Sequence, residues 1–164
     1  HLGAGGRSRH TGDTTKLIRE ASKFDLDACV EMMRKYASES PIFKLRQAAF
    51  HDNQYVRHFL FSLICGRGFI FVDSQYRGMI AAIVTPNIWC PGVHEVKELA
   101  WWVDPEHRNG TIGGKLFVAY KVKADKLIKE GRAQVMSVSL MSSSPSIDLE
   151  GRGFKRIEST FCKE

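Results

Sequence analysis

Residues 99–116 constrain this chain more than any other stretch. The apolar run Leu99-Ala100-Trp101-Trp102-Val103 passes directly into Asp104-Pro105-Glu106-His107-Arg108-Asn109-Gly110-Thr111-Ile112-Gly113-Gly114-Lys115-Leu116. The apolar run reads as a strand, and the spacing beyond Gly113 reads as a long helix. An arginine and three glycines at a strand-to-helix joint make an anion site. Glycines let backbone amides approach a ligand closely, and a helix N-terminus adds positive potential. A pyrophosphate is the natural guest. The loop is not a Walker loop, because Asn109 stands where its first glycine belongs and Leu116 follows the lysine. It is not the dinucleotide fingerprint either, because the glycine offsets are wrong.

Around this joint the chain reads as strands and helices on one sheet. Residues 16–19 are a candidate first strand. Asp25 is placed to cap a helix reaching Ala37, with Leu26, Val30, Met33 and Tyr36 near helical spacing. Ser38-Glu39-Ser40-Pro41 breaks it. A second helix is expected over 53–65, ended by Gly66, with Tyr55, Phe59, Leu60 and Leu63 as its apolar stripe. Strands over 68–73 and 78–85 flank a turn at Ser74-Gln75. An irregular loop between Pro86 and Pro91 holds Trp89 and Cys90. A strand over 96–103 feeds the glycine loop, and the helix over 113–130 stops at Gly131. A strand over 133–140, a loop over 142–146, a short helix over 146–150 and a last strand from Gly153-Phe154 to about Phe161 complete the order. This is a mixed α/β pattern.

At 164 residues, with 43% hydrophobic and 26% charged, the chain is long enough for one unstapled core. Residues 1–13 read as a disordered leader or an expression remnant, and 14–164 as a single domain. No apolar run reaches the length of a membrane span. The four cysteines are scattered without C-x-x-C pairing or a close histidine, so neither a metal site nor a disulfide framework is expected. Two of them sit in apolar runs and are expected as buried thiols. A cytoplasmic setting fits this usage. The net charge of +6 comes from dispersed basic residues, which suits an anionic ligand better than nucleic acid.

The loop and its approach resemble the Gcn5-related N-acetyltransferases (GNAT). Their signature is Arg/Gln-x-x-Gly-x-Gly/Ala after the fourth strand. Arg108 matches its first position and Gly113 its last, and Thr111 stands at the usual central glycine. Val103-Asp104-Pro105 matches the family's Val-x-Pro approach. Ile112, Leu116 and the later Gly153-Phe154 pair also sit where the family places them. The resemblance covers about Thr14 to Cys162. It implies a single mixed, mostly antiparallel sheet, flanked by helices on both faces, with splayed central strands.

It also implies a function. Acetyl-CoA would donate an acetyl group to a primary amine, small molecule or peptide, by direct attack in a ternary complex. The loop from Arg108 through Asn109, Gly110, Thr111, Ile112, Gly113 and Gly114 would hold the pyrophosphate, with Lys115 assisting. The pantetheine arm would pair with the exposed edge at Trp101, Trp102 and Val103. An ammonium cannot attack until it loses a proton, so a base is needed. The family often keeps a glutamate on this strand, and Glu98 matches best, with Glu95 and His94 in reserve. Regular alternation would put Glu98 on one face with Ala100 and Trp102. Leu149 stands where the family commonly has a proton-donating tyrosine, and Ser142 where it frequently has an asparagine. Ser142, Ser143 and Tyr120 are the remaining hydroxyls. The acceptor would meet residues 37–45 and the loop near Trp89, with Glu39 attracting the amine and Tyr36 and Phe43 shaping the pocket. A homodimer is among the implied assemblies. The alternatives are a non-catalytic acetyl-CoA-binding regulatory module and, less favoured, a basic nucleic-acid-binding protein.

Overall fold

A computed structural model describes residues 17–164. The proposed leader and Lys16 lie outside the described residues. Five strands form one sheet in the order β1 (Ile18–Glu20), β2 (Gly68–Asp73), β3 (Gly78–Pro86), β4 (His94–Val103) and β5 (Val135–Ser137). The first four are antiparallel neighbours, and β5 runs parallel to β4. Four α-helices accompany them: α1 (Leu26–Ser38), α2 (Phe43–Arg46), α3 (Asn53–Ser62) and α4 (Ile112–Lys129).

The alternation of β2 and β3 divides the core into two layers. Ile70, Val72, Met79 and Ala81 face Leu26, Cys29 and Met32 of α1 and Leu60 of α3. Phe69, Ile80 and Ala82 face Ile112, Leu116, Phe117, Tyr120, Ala124 and Leu127 of α4. Successive strand residues point to opposite faces, so two largely apolar strands serve both layers. Each buried Leu, Ile or Phe here contributes about 1.5–3 kcal/mol. Gly78 must be glycine, because a Cβ there would sit 2.8 Å from the carbonyl oxygen of Trp102 and 3.0 Å from Leu116.

Local chemistry accounts for the ends of the elements. Asp52 caps α3 by accepting from the Tyr55 amide at 2.9 Å. A wide turn (Leu63–Arg67) then closes at Gly66, whose φ of +126 belongs to the glycine region. Asp25 differs from expectation. It makes no side-chain cap on α1. Its carboxylate instead accepts from both terminal nitrogens of Arg19 (2.8 and 2.7 Å), from the Ser22 amide (2.8 Å) and from the Tyr76 hydroxyl (2.6 Å). The guanidinium holds this buried carboxyl far below the usual carboxylate range.

Five further expectations are corrected. The buried stripe of α1 is Leu26, Cys29 and Met32, with Val30, Met33 and Tyr36 at its margin. Cys29 is the one buried thiol, and Cys65, Cys90 and Cys162 are exposed. The strand expected over 133–140 shortens to Val135–Ser137, because it diverges from β4 beyond Ser137. The short helix over 146–150 is a single 3-10 turn at Glu150–Arg152, and residues 154–161 form no strand. The apolar positions of that last segment, Phe154, Ile157 and Phe161, lack a two-residue period. Ile157 and Phe161 stay exposed.

Candidate active site

The residues with chemistry gather where β4 and β5 part. Pairing between them runs only from Glu95 opposite Val135 to Lys97 opposite Ser137. From Glu98 to Val103, β4 is bonded to β3 on one side and, among the described residues, to no strand on the other. Unpaired strand edges are ordinarily covered or charged, so a gap flanked by buried side chains invites an amide-bearing ligand. Trp101, Trp102 and Val103 all lie on this open stretch.

Glu98 sits at the vertex. It is 7% exposed, and its Oε1 accepts from the Ser139 amide at 3.0 Å, just past the end of β5. Burial pushes its carboxyl up to about 7, against the small opposing effect of that hydrogen bond. Tyr36 and Tyr120 lie close enough to feel its charge. Burial first, and the Glu98 carboxylate second, push the Tyr36 hydroxyl up to about 12 and raise that of Tyr120. Tyr120 is fully buried and donates to the carbonyls of Ser137 (2.6 Å) and Val96 (3.3 Å), so its hydroxyl is committed to the vertex.

The expected face of Glu98 is corrected by a β-bulge. Ala81 pairs with Ala100 but Ala82 pairs with Glu98, which leaves Leu99 as the extra residue. Ala82 belongs to the α4 layer and Ala81 to the α1 layer. Cross-strand partners share a face, so Glu98 parts company with Ala100 and Trp102 and joins Val96. Nothing in an apolar run such as Leu99 to Val103 signals this extra residue.

At the other end of the open stretch lies the glycine loop. A 3-10 turn (Pro105–His107), capped by Asp104 onto the Glu106 amide (3.0 Å), leads to Thr111 at the start of α4. Thr111 supplies no side-chain cap. Among the described residues, the amides of Thr111, Ile112, Gly113 and Gly114 donate to no protein acceptor. The first turn of an uncapped helix leaves its amides free in this way. The amides of Arg108 and Gly110 are turned inward, to Pro105 (3.5 Å) and His107 (3.2 Å). A Cβ on Gly114 would meet nothing within 4 Å, whereas one on Gly113 would touch Val103 at 3.4 Å. The indole of Trp101 donates to the Gly113 carbonyl (3.2 Å) and stacks on Phe117 at 5.3 Å, which fixes this turn against β4. Asn109 and Lys115 are exposed beside it.

The remaining candidates are spread wider. Glu39 ends α1, and its carboxylate is engaged by Arg108 (2.7 and 2.6 Å) and by the Trp102 indole (3.2 Å). Arg108 also donates through Nε to the Val103 carbonyl at 2.8 Å. Trp89 is 85% exposed on a loop held by Asn87, whose side chain accepts from the amides of Trp89 and Cys90. Ser142 is exposed in the loop beyond β5, and Leu149 packs at the edge of the α4 layer near Phe154. Among the described residues there is no cluster of metal-ligating side chains, and no helix is long and apolar enough to cross a membrane.

Solved structures decide what kind of fold this is. A possible acetyltransferase from Clostridium difficile 630 superimposes with a TM-score of 0.63 at 18% identity, covering 90% of this chain and 95% of that one. An acetyltransferase of Trypanosoma brucei matches with a TM-score of 0.60 at 14% identity, over 90% and 97%. The chain has the GNAT fold. A transcriptional regulator from Bacillus halodurans C-125 shares it at 19% identity, with a TM-score of 0.63 over 90% and 97%. No family model matches the sequence, and no curated protein matches it either. The open edge of β4 therefore has a buried acid at one end and the free amides that open α4 at the other.

Proposed function

We propose that this protein is an acyltransferase of the GNAT fold that moves the acetyl group of acetyl-CoA to a primary amine by direct attack in a ternary complex. The observation that carries the reading is Glu98. It is a carboxyl held near neutrality at the vertex of an open strand pair, with uncapped helix amides at the other end of the same strand.

The pyrophosphate would be held by the amides of Thr111, Ile112, Gly113 and Gly114, with Lys115 adding charge. The pantetheine arm would complete the ladder along Trp101–Val103. Glu98 would accept the proton of the incoming ammonium, directly or through one water. A carboxylate with a pKa near 7 is better matched to that transfer at neutral pH than an ordinary one. The amine nitrogen then bonds to the thioester carbonyl carbon, the carbon–sulfur bond breaks, the coenzyme departs as thiolate, and the new amide nitrogen gives up its second proton to that thiolate or to water. An ordinary thiol ionises near pH 8.5, so this leaving group needs little help. That agrees with Leu149 at the tyrosine position and with the committed hydroxyl of Tyr120.

Calorimetry with acetyl-CoA, followed by mass spectrometry of acetylated products from a panel of primary amines, tests the proposal. Absence of saturable heat at millimolar acetyl-CoA would remove it. Binding without turnover on any amine would favour the regulatory module instead. That reading is kept in view by Leu149 and by the transcriptional regulator of Bacillus halodurans that shares the fold.

A further inference from the structure

Residues 39–50 run on from the end of α1, and from Phe43 onward they bury no side chain. Neither α2 nor the 3-10 turn that follows it (Ala48–Phe50) contributes a buried residue to either layer. Phe43, Leu45 and Phe50 are exposed. Such a segment has no apolar anchor, so polar ties must fix its position. Three are present. His51 bonds the Leu45 carbonyl through Nε2 (2.8 Å). The Glu164 carboxylate accepts from the amides of Phe43 and Lys44 (3.0 and 2.9 Å). The third is at the start of the segment, where Glu39 is gripped by Arg108 and Trp102.

This third tie differs from an ordinary surface pair. The Arg108 terminal nitrogen reaches both Glu39 oxygens, and the Trp102 indole donates to one of them. Arg108 is itself pinned to the Val103 carbonyl, and Lys35 lies over the Trp102 ring at 5.9 Å. Glu39 and Arg108 are 69 residues apart in sequence. The contact therefore joins the end of α1 to the loop that opens α4. It also neutralises the arginine that opens the glycine loop.

We infer that Glu39 is a positioning residue: it clamps the α1–α2 segment onto the open end of β4 and withholds the Arg108 charge from an anionic ligand of the glycine loop. This rests on the acetyl-CoA reading above. It places the Glu39 carboxylate on Arg108 instead of on the acceptor amine.

Glu39→Gln keeps an acceptor for Trp102 but removes the charge. Two measurements on the full chain test it. Hydrogen exchange of residues 39–47 should quicken about fivefold, while β3 and α4 stay unchanged. The dissociation constant for acetyl-CoA should fall by about the same factor at low salt, and the advantage should vanish at high salt. Arg108→Gln should quicken the same segment without tightening the ligand. Unchanged exchange in either variant overturns the inference, as does exchange that rises across the whole chain, since that marks general destabilisation. Weaker acetyl-CoA binding by Glu39→Gln overturns it too. A wild-type protein that does not bind acetyl-CoA removes the functional reading and this inference together. A binding wild type with an indistinguishable Glu39→Gln removes the inference alone.

Discussion

Replacing Glu98 with glutamine should make the protein more stable, by an amount that depends on pH in a calculable way. The folded chain raises this carboxyl from 4.5 to about 7, chiefly through burial. That shift corresponds to about 3 kcal/mol of preference for the neutral acid. Below pH 4.5 the folded and unfolded chains both carry the neutral acid, and Glu98 behaves like a neutral side chain. Between 4.5 and 7 the unfolded chain releases the proton while the folded chain keeps it. Stability is therefore lost as pH rises, and above 7 the loss is constant. Glutamine does not titrate and can still accept from the Ser139 amide. Urea denaturation of both proteins at pH 5 and pH 8 should show a stability gap that widens by about 2.5 kcal/mol in favour of the glutamine variant, because part of the shift is already expressed at pH 5. In the same variant acetyl transfer should collapse, and the wild-type rate should climb with pH to a plateau above about 7. Parallel stability curves across that range would refute the claim that desolvation dominates at the β4–β5 vertex.

Three other outcomes follow from the same coordinates. Gly114→Ala should raise stability by about 0.5–1 kcal/mol, because a methyl group meets nothing there and alanine favours the helix, yet it should weaken acetyl-CoA binding in calorimetry. Asp25→Asn should cost about 2 kcal/mol at pH 7 by leaving Arg19 without its partner. The folded carboxyl lies below its ordinary value, so this penalty is present above about pH 4 and should shrink on acidification, opposite in sign to Glu98. A maleimide reagent should modify Cys65, Cys90 and Cys162 in the native protein and spare Cys29. That thiol is fully buried and pushed up to about 12, so full labelling without denaturant would contradict the packing of α1.

Much of the fold was readable where local signals agree. The hairpin of β2 and β3 and the helix after the glycine loop fall within a residue of expectation, because periodicity, turn residues and caps all point the same way; α3 stops three residues before the expected 65, where the wide turn over Leu63–Arg67 takes over. Glu98 was recoverable as a candidate because the resemblance implies a general-base glutamate on this strand and Glu98 matches its place best. Its true face was not, since the bulge exists only against the partner strand. Two regions misled for a different reason. Residues 133–140 carry strand-like side chains, but a strand persists only as far as a neighbour supplies a ladder, and β4 supplies three positions, while residues 154–161 have apolar side chains without a strand's two-residue period. Glu39 was legible as an acid near the acceptor side. Its engagement by Arg108 and Trp102 depends on contacts 69 and 63 residues away in sequence, which no local window contains.

The extra residue at Leu99 has a practical consequence for anyone who edits this strand. It inverts parity midway, so positions on either side of it obey opposite inside–outside rules. Deleting one residue there would not merely shorten the strand: it would send Ala100 and Trp102 to the wrong layer, or rotate the acid out of its niche. Length polymorphism in the Glu98–Ala100 stretch should be far less tolerated than substitution.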